Sequence, residues 1–312
     1  MVHTYQDEGS MTEEQLTDAC AKHVVVTGGA GFVGSALVSR IREEHPGWTI
    51  TVIDPAGTHH GCEQVDYIRT NVQEIYELSY FNSQNNNQPD IFFHLGATAR
   101  IAPSFSNPIE TWNNNVQATR AVLVAAERTG AKVIYAGSST IHAGVRKNPY
   151  ALSKSHGEDL CTMYSDHLGV KIAICRFFNV YGADVPRAGP SKMMMGIFMK
   201  QTLAGAPITV TGDGKQTRDF THVRDICTGL LAAAALDHDC VAGVPVFELG
   251  AGRNVSVLEI ASAFGQPIEM IDERKGEARD TLASPGRWPI GSGPLVDVLE
   301  WIAAWKKVEG LS

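Results

Sequence analysis

The sequence lacks the marks of a membrane, metal or polyanion-binding protein. No apolar run approaches the ~18 residues that a membrane span needs, and residues 1–22 are acidic and polar, with no positive segment leading into an apolar one. Basic residues are in the minority, 26 Lys and Arg against 34 Asp and Glu for a formal net charge of −8, and nowhere do they form a run. A protein built to grip nucleic acid needs a basic face. The six cysteines, Cys20, Cys62, Cys161, Cys175, Cys227 and Cys240, are scattered without a CxxC pair and read as reduced, buried thiols. His59-His60-Gly61-Cys62 has no second half-site, and no HExxH occurs, so no metal is expected and this stretch reads as a loop. These absences point away from nucleic acid and membrane partners and predict a soluble cytoplasmic protein.

What is present is a rhythm. The chain has 312 residues, 44% of them apolar, enough for one large domain or two ordinary ones. Short β-branched runs at His23–Thr27, Thr49–Asp54, Ile91–Leu95, Lys132–Ala136 and Lys171–Arg176 alternate with helical patterns at Phe32–Glu44, Ile109–Thr129 and Tyr150–Leu168. Strands separated by helices make βαβ units, hence an α/β fold with a parallel sheet covered on both faces. After Tyr181 the pattern changes to a Pro- and Gly-rich stretch, a helix Met193–Leu203 and a strand Ile208–Val210. Val246–Leu249 reads as a strand returning to the main sheet, and an amphipathic helix is predicted around Pro294–Lys306. The polar run Asn82–Gln88 reads as a loop, and Met193-Met194-Met195 as core filling that borders a ligand.

The first strand runs into Thr27-Gly28-Gly29-Ala30-Gly31-Phe32-Val33-Gly34, which opens a helix. Glycine is needed where the chain turns sharply, where a pyrophosphate approaches the backbone and where helix packs on strand; the helix N-terminus then offers free N–H groups. Gly28, Gly31 and Gly34 fill these places. The second strand ends in Asp54, 20 positions after Gly34. An acid there accepts the ribose hydroxyls of NAD and repels the extra phosphate of NADP. The expectation is therefore a Rossmann-type doubly wound domain over 22–181, with a returning strand near 244–250. Residues 1–21 form an extension, and 182–312 a smaller mixed α/β substrate-binding region.

The fourth strand candidate leads into Ser138-Ser139-Thr140, followed by Tyr150-Ala151-Leu152-Ser153-Lys154. Residues i and i+4 share a helix face, so the Lys154 ammonium is expected beside the Tyr150 phenol. Free tyrosine has a pKa of about 10, and a base working near neutral pH needs that value lowered, for which a neighbouring cation is the physical means.

This order of glycine-rich turn, acid, hydroxyl cluster and Y-x-x-x-K resembles the extended short-chain dehydrogenase/reductase family of NAD-dependent nucleotide-sugar epimerases and dehydratases. His94-Leu95-Gly96-Ala97, Asn115-Val116-Gln117-Ala118-Thr119, Arg176-Phe177-Phe178-Asn179-Val180-Tyr181-Gly182, Gly212–Phe220 and Arg274-Lys275-Gly276-Glu277 are similar to that family as well. The resemblance implies that Tyr150 is the acid/base, Lys154 its partner and a ribose ligand, and Ser138 the hydroxyl touching the sugar. It implies a NAD site of Gly28, Gly31, Phe32, Val33, Gly34, Asp54, Asn71, Val72, Leu95, Gly96, Ala97, Asn115, Tyr150 and Lys154. The nucleotide sugar, a UDP-sugar by preference, would meet Ser138, Ser139, Thr140, Asn179, Arg218 and Arg274. His94 reads as a packed residue near the cofactor. A homodimer through the helices Ile109–Thr129 and Tyr150–Leu168 is implied too.

The chain departs from the family's pattern in places. Ile141-His142-Ala143-Gly144 stands where an aromatic and a glycine are frequent, the connection on to Tyr150 is short, and Asn71 replaces a frequent aspartate. Dehydratases of the family carry an Asp-Glu pair where this chain has Ser139 and Thr140, and the Glu of its decarboxylases is missing as well. The sequence thus favours epimerisation at C4 of a UDP-hexose, with 4,6-dehydration, decarboxylation or reduction as alternatives. A NAD-binding protein without catalysis is the alternative of another class; retention of both Tyr150 and Lys154 speaks against it.

Overall fold

A computed structural model of the chain describes residues 21–57, 65–77, 81, 88–182, 193–237, 243–273, 276, 278–289 and 295–311. His59–Cys62, most of Asn82–Gln88, and Arg274 lie outside the described residues.

Strands β1 (His23–Thr27), β2 (Thr49–Ile53), β3 (Val65–Ile68), β4 (Ile91–His94), β5 (Lys132–Ser138) and β6 (Ile172–Phe177) form a parallel sheet. The returning strand Val246–Leu249 completes it beside β6, as expected, pairing Val246 with Ile174 and Leu249 with Phe177. From that strand the order runs β6, β5, β4, β1, β2, β3. The chain moves outward from β1 in both directions, so the sheet has a topological switch point between β1 and β4. In such sheets ligands bind beyond the carboxyl ends of the strands at that point.

Alternation along each strand divides the core. Val24, Val26, Val52, Phe93 and Ile134 face helix α1 (Phe32–Glu44) and the helix Val223–Ala235, while Val25, Phe92, Val133 and Tyr135 face the opposite layer. That layer contains the short helices α2 (Ile101–Ser106) and α3 (Pro108–Trp112), then α4 (Ala118–Thr129) and α5 (Pro149–Leu168). A third cluster, around Phe198, Ile208, Val210, Phe264, Ile302 and Trp305, belongs to the C-terminal region. There Ile208–Thr211 pairs with Ile268–Ile271, and Thr217–Asp219 with Asn254–Ser256. The last helix runs Val298–Val308, where the Asp297 carboxylate accepts the N–H groups of Leu299 and Glu300 and sets its start; Pro294 lies outside the described residues.

The helix expected over Ile109–Thr129 is interrupted by a π-helical turn at Asn113–Gln117. The Asn115 side chain is responsible: Oδ1 accepts the Thr98 N–H at 2.7 Å, and Nδ2 donates to Ser153 Oγ at 2.8 Å. These bonds hold the segment after β4 and helix α5 to one point.

Helix α5 begins on a cap readable in sequence. Asn148 Oδ1 accepts the Ala151 N–H at 2.7 Å, Pro149 occupies the first turn, and Gly169 ends the helix in the left-handed conformation. It lies tight against β5 because residue 157 is glycine: a Cβ there would lie 2.1 Å from Tyr135 Oη. Gly157→Ala is predicted to destabilise the protein by ~1–3 kcal/mol in urea unfolding, the usual cost of overpacking. Adding Tyr135→Phe, which removes the clashing oxygen, should recover part of that loss. An unchanged midpoint for the single variant would show that α5 is free to shift.

Candidate active site

A single cleft of about 950 Å³ opens along the carboxyl ends of the strands, bounded on its far wall by the C-terminal region. That is the upper end of the ~300–1,000 Å³ range of small-molecule sites.

At one end lies the glycine-rich turn. Gly28 has φ +72°, and a Cβ on it would lie 2.8 Å from the backbone of Gly96; a Cβ on Gly34 would lie 2.2 Å from the Gly28 carbonyl. Strand β1, the segment after β4 and the start of α1 therefore meet at van der Waals distance through backbone alone. Gly31 caps α1 without a side-chain bond, so the first-turn N–H groups are left for a ligand. Asp54 lines the cleft with its carboxylate oriented by the N–H groups of Ala30, at 3.2 Å, and Ala56, at 2.9 Å. This turn and acid fit a dinucleotide, with the turn for its pyrophosphate and Asp54 for a ribose. Phe32, Val33, Asn71, Val72, Leu95, Gly96 and Ala97 line the same end.

His94 is packed beneath, as the sequence reading expects. Its Nδ1 shares a hydrogen bond with Thr27 Oγ1 at 2.8 Å, and Nε2 one with Thr119 Oγ1 at 3.1 Å. Burial, reinforced by Lys154, pushes its pKa down to about 3. A neutral, doubly engaged imidazole is a strut rather than a base.

Tyr150 and Lys154 lie at the middle of the cleft, 8% and 4% exposed. The structure corrects the expected electrostatics of this pair. The Lys154 ammonium donates to the Ala136 carbonyl at 2.7 Å and lies 4.7 Å from the centre of the Tyr135 ring. Burial lowers its pKa to about 8, opposed by the Glu158 carboxylate and the Cys161 thiol. Burial likewise pushes the Tyr150 phenol up, against a hydrogen bond with Ser138 that pulls it down. In this arrangement the hydroxyl, not the ammonium, is the group that favours the phenolate.

Ser138 ends β5, and the turn Ser139–Ala143 follows at once. Ser138 Oγ is 2.9 Å from Thr140 Oγ1, and Ser138, Ser139 and Thr140 all line the cleft. The turn is anchored from behind by a charge network that the sequence reading did not find. His142 Nε2 lies 2.9 Å from the buried Glu248 carboxylate on the returning strand, and its ring stacks on Phe178. Arg176 Nη1 approaches Glu248 at 3.7 Å and donates two short bonds, through Nε at 3.1 Å and Nη2 at 2.7 Å, to Glu158 on α5. The unusual residue at 142 thus has a structural purpose, tying the hydroxyl turn to the sheet edge.

On the far wall, Asn179 lines the cleft while its Nδ2 donates to Asp219 O and Thr281 Oγ1. Arg218 also lines it, 9% exposed, with Nη1 donating to the carbonyls of Thr217 and Arg279. The adjacent Asp219 is wholly buried and accepts N–H groups from Ala251, Gly252 and Ala283, so the two neighbours divide the work of ligand wall and scaffold. Met193, Met194 and Met195 all border the cleft, and Met195 is also buried in the core of the C-terminal region.

Asn115 is a further correction. It is 1% exposed and spent on Thr98 and Ser153, whereas Asn114 lines the cleft. The π turn rotates the helix face, so helical spacing could not choose among three consecutive asparagines. Arg100, six positions after β4, also lines the cleft; its place just past a strand's carboxyl end was the signal for it. Among the described residues, no helix is long and apolar enough to cross a membrane.

Comparison with known proteins agrees with this geometry. Residues 24–244 match the NAD dependent epimerase/dehydratase family. The chain is 31% identical over 270 residues to a UDP-N-acetyl-alpha-D-glucosaminuronate decarboxylase of Bacillus cytotoxicus, covering 78% of this chain and 80% of that one. It is 30% identical over 272 residues to an uncharacterized UDP-glucose epimerase of Bacillus subtilis, covering 81% and 83%. Among solved structures, UDP-glucuronic acid 4-epimerase from Bacillus cereus, in complex with UDP-glucuronic acid and NAD, superposes with a TM-score of 0.79 at 24% identity, covering 93% of this chain and 100% of that one. With its glycine cradle and buried tyrosine and lysine on one seven-stranded parallel sheet, the chain belongs to the NAD-dependent epimerase/dehydratase family.

Proposed function

We propose that the protein epimerises a UDP-hexose at C4, with Tyr150 as the acid/base. The observation that carries this reading is the character of the cleft wall. Among the described residues lining it, Asp54 at the dinucleotide end is the sole carboxylate. Ser138, Ser139 and Thr140 bring hydroxyls to the cleft where the described lining holds no carboxylate beyond Asp54.

Tyr150 would take the proton of the C4 hydroxyl while Ser138, whose hydroxyl lowers the phenol's pKa, would hold the same oxygen in line. Bound NAD supplies the acceptor for the hydride leaving that carbon. Lys154, fixed on the Ala136 carbonyl, would meet a ribose of the cofactor. Asn179, just past β6, and Arg218 of the C-terminal region line the cleft and would hold the diphosphate, with Arg274 proposed as a third ligand. Returning proton and hydride to the opposite face of the sugar requires no second acid, only room for the sugar to turn. Elimination or decarboxylation asks for a carboxyl group near the hydroxyl cluster. Decarboxylation remains the second reading, favoured by the 31% identical relative.

Incubation with UDP-glucose, UDP-galactose and their N-acetyl and uronic counterparts is expected to give C4 epimers. Release of CO2 or a 4-keto-6-deoxy product in their place would sink the proposal. Tyr150→Phe should lower kcat by ~10²–10⁴-fold, the usual share of general acid–base catalysis, with bound NAD content unchanged. Retained activity would remove Tyr150 from its role.

The pH dependence follows from the upward shift of the phenol. Burial disfavours the phenolate, so the base form is scarce at neutral pH and kcat should climb as pH rises from about 6 to 9. A flat or falling profile over that span would contradict Tyr150 as a base.

A further inference from the structure

The cations of the cleft differ in what already holds them. Lys154 is spent on the Ala136 carbonyl, and Arg218 on those of Thr217 and Arg279. Arg100 lines the same cleft but makes no hydrogen bond or ion pair with any described residue. It is half-buried, and burial alone pulls its pKa down, with no anion opposing the shift. A guanidinium gives up hydration here without a partner among the described residues, an arrangement that a bound anion would complete.

The surroundings of Arg100 point to which anion that is. Arg100 is the residue before α2, and α2 is held from two sides. Ser104 Oγ accepts the Tyr150 N–H at 3.2 Å. From the C-terminal region Gly276 approaches so closely that a Cβ on it would lie 2.9 Å from the Phe105 ring and 3.6 Å from Ile101. Arg100 therefore opens the segment wedged between the reacting tyrosine and the C-terminal region. The pyrophosphate of a dinucleotide is already provided for by the glycine turn and the start of α1, and the diphosphate of a nucleotide sugar by the Arg218 wall. A cation that lines the cleft and opens the helix bonded to the Tyr150 backbone answers to a third anionic group, one carried by the sugar.

We propose that Arg100 is a specificity residue that pairs its planar guanidinium with a carboxylate on the sugar, making a UDP-uronic acid the preferred substrate over a neutral UDP-hexose. The inference rests on the nucleotide-sugar reading above and narrows its substrate class. A guanidinium fork matches a carboxylate through two parallel N–H bonds, which a lysine cannot reproduce.

The test compares UDP-glucuronate with UDP-glucose on the purified holoenzyme, for wild type, Arg100→Gln and Arg100→Lys. Wild type should favour UDP-glucuronate. Arg100→Gln should lose ~10–100-fold in kcat/KM for UDP-glucuronate, mainly through KM, with the value for UDP-glucose changed less than about threefold. Arg100→Lys should recover part of the loss. An equal loss for both sugars would overturn the proposal by assigning the guanidinium to the shared diphosphate, and a fall in bound NAD would assign it to the cofactor. Wild type that favours UDP-glucose, or treats both sugars alike, would overturn it too. If neither sugar is turned over, the epimerase reading fails by itself. Calorimetric binding of the two sugars to wild type and Arg100→Gln then decides the pairing, with a selective loss for UDP-glucuronate expected and no selective loss overturning it.

Discussion

Helix α5, which carries Tyr150 and Lys154, is clasped to the sheet at three successive points, and the candidate site depends on that clasp. Lys154 plants its ammonium on the Ala136 carbonyl, Gly157 lets the helix backbone settle over Tyr135, and Glu158 grips Arg176 of the next strand through two bonds. These contacts lie one helical turn apart or less, so they fix both the depth and the rotation of α5. Tyr150, at its start, is thereby held against Ser138 at the end of β5. From the other side Ser104 receives the Tyr150 N–H, and Asn115 joins Thr98 to Ser153. A helix start held from so many directions leaves little reorganisation of the backbone at Tyr150 to be done when a substrate arrives.

The electrostatics follow from burial more than from charge pairing. Tyr150, Lys154 and His94 are all taken out of water, and in each case the loss of hydration leads the shift, toward the neutral form. His94 is kept neutral and serves as a link between β1, β4 and α4. A net charge of −8 opposes the approach of an anionic nucleotide sugar. The described wall of the cleft reverses that sign locally, with Arg100, Lys154 and Arg218 against one carboxylate.

Much of this was legible in sequence where the information is local. The glycine turn, the acid after β2 and the alternating strands each depend on a few neighbouring residues. The parts that were not legible depend on contacts between distant segments. Lys154 could be placed on the face of Tyr150 by spacing, but its choice of the Ala136 carbonyl comes from how the helix lies on the sheet. Asn115 could not be told from Asn114, because a tertiary hydrogen bond to Thr98 creates the π turn that resets the helical phase. His142 looked like a mere departure from a pattern until the fold brought Glu248 beneath it, more than a hundred residues later in the chain. The short strands of the C-terminal region, such as Thr217–Asp219, are too brief for periodicity to mark and are held by Asp219 and its three backbone donors.

The central claim is that one buried tyrosine serves a hydride transfer that begins and ends at the same carbon. Following deuterium placed at C4 of the UDP-sugar tests it most directly. In ordinary water the account predicts an epimer that keeps its deuterium on C4. Loss of that deuterium to solvent, with hydrogen in its place, would contradict it.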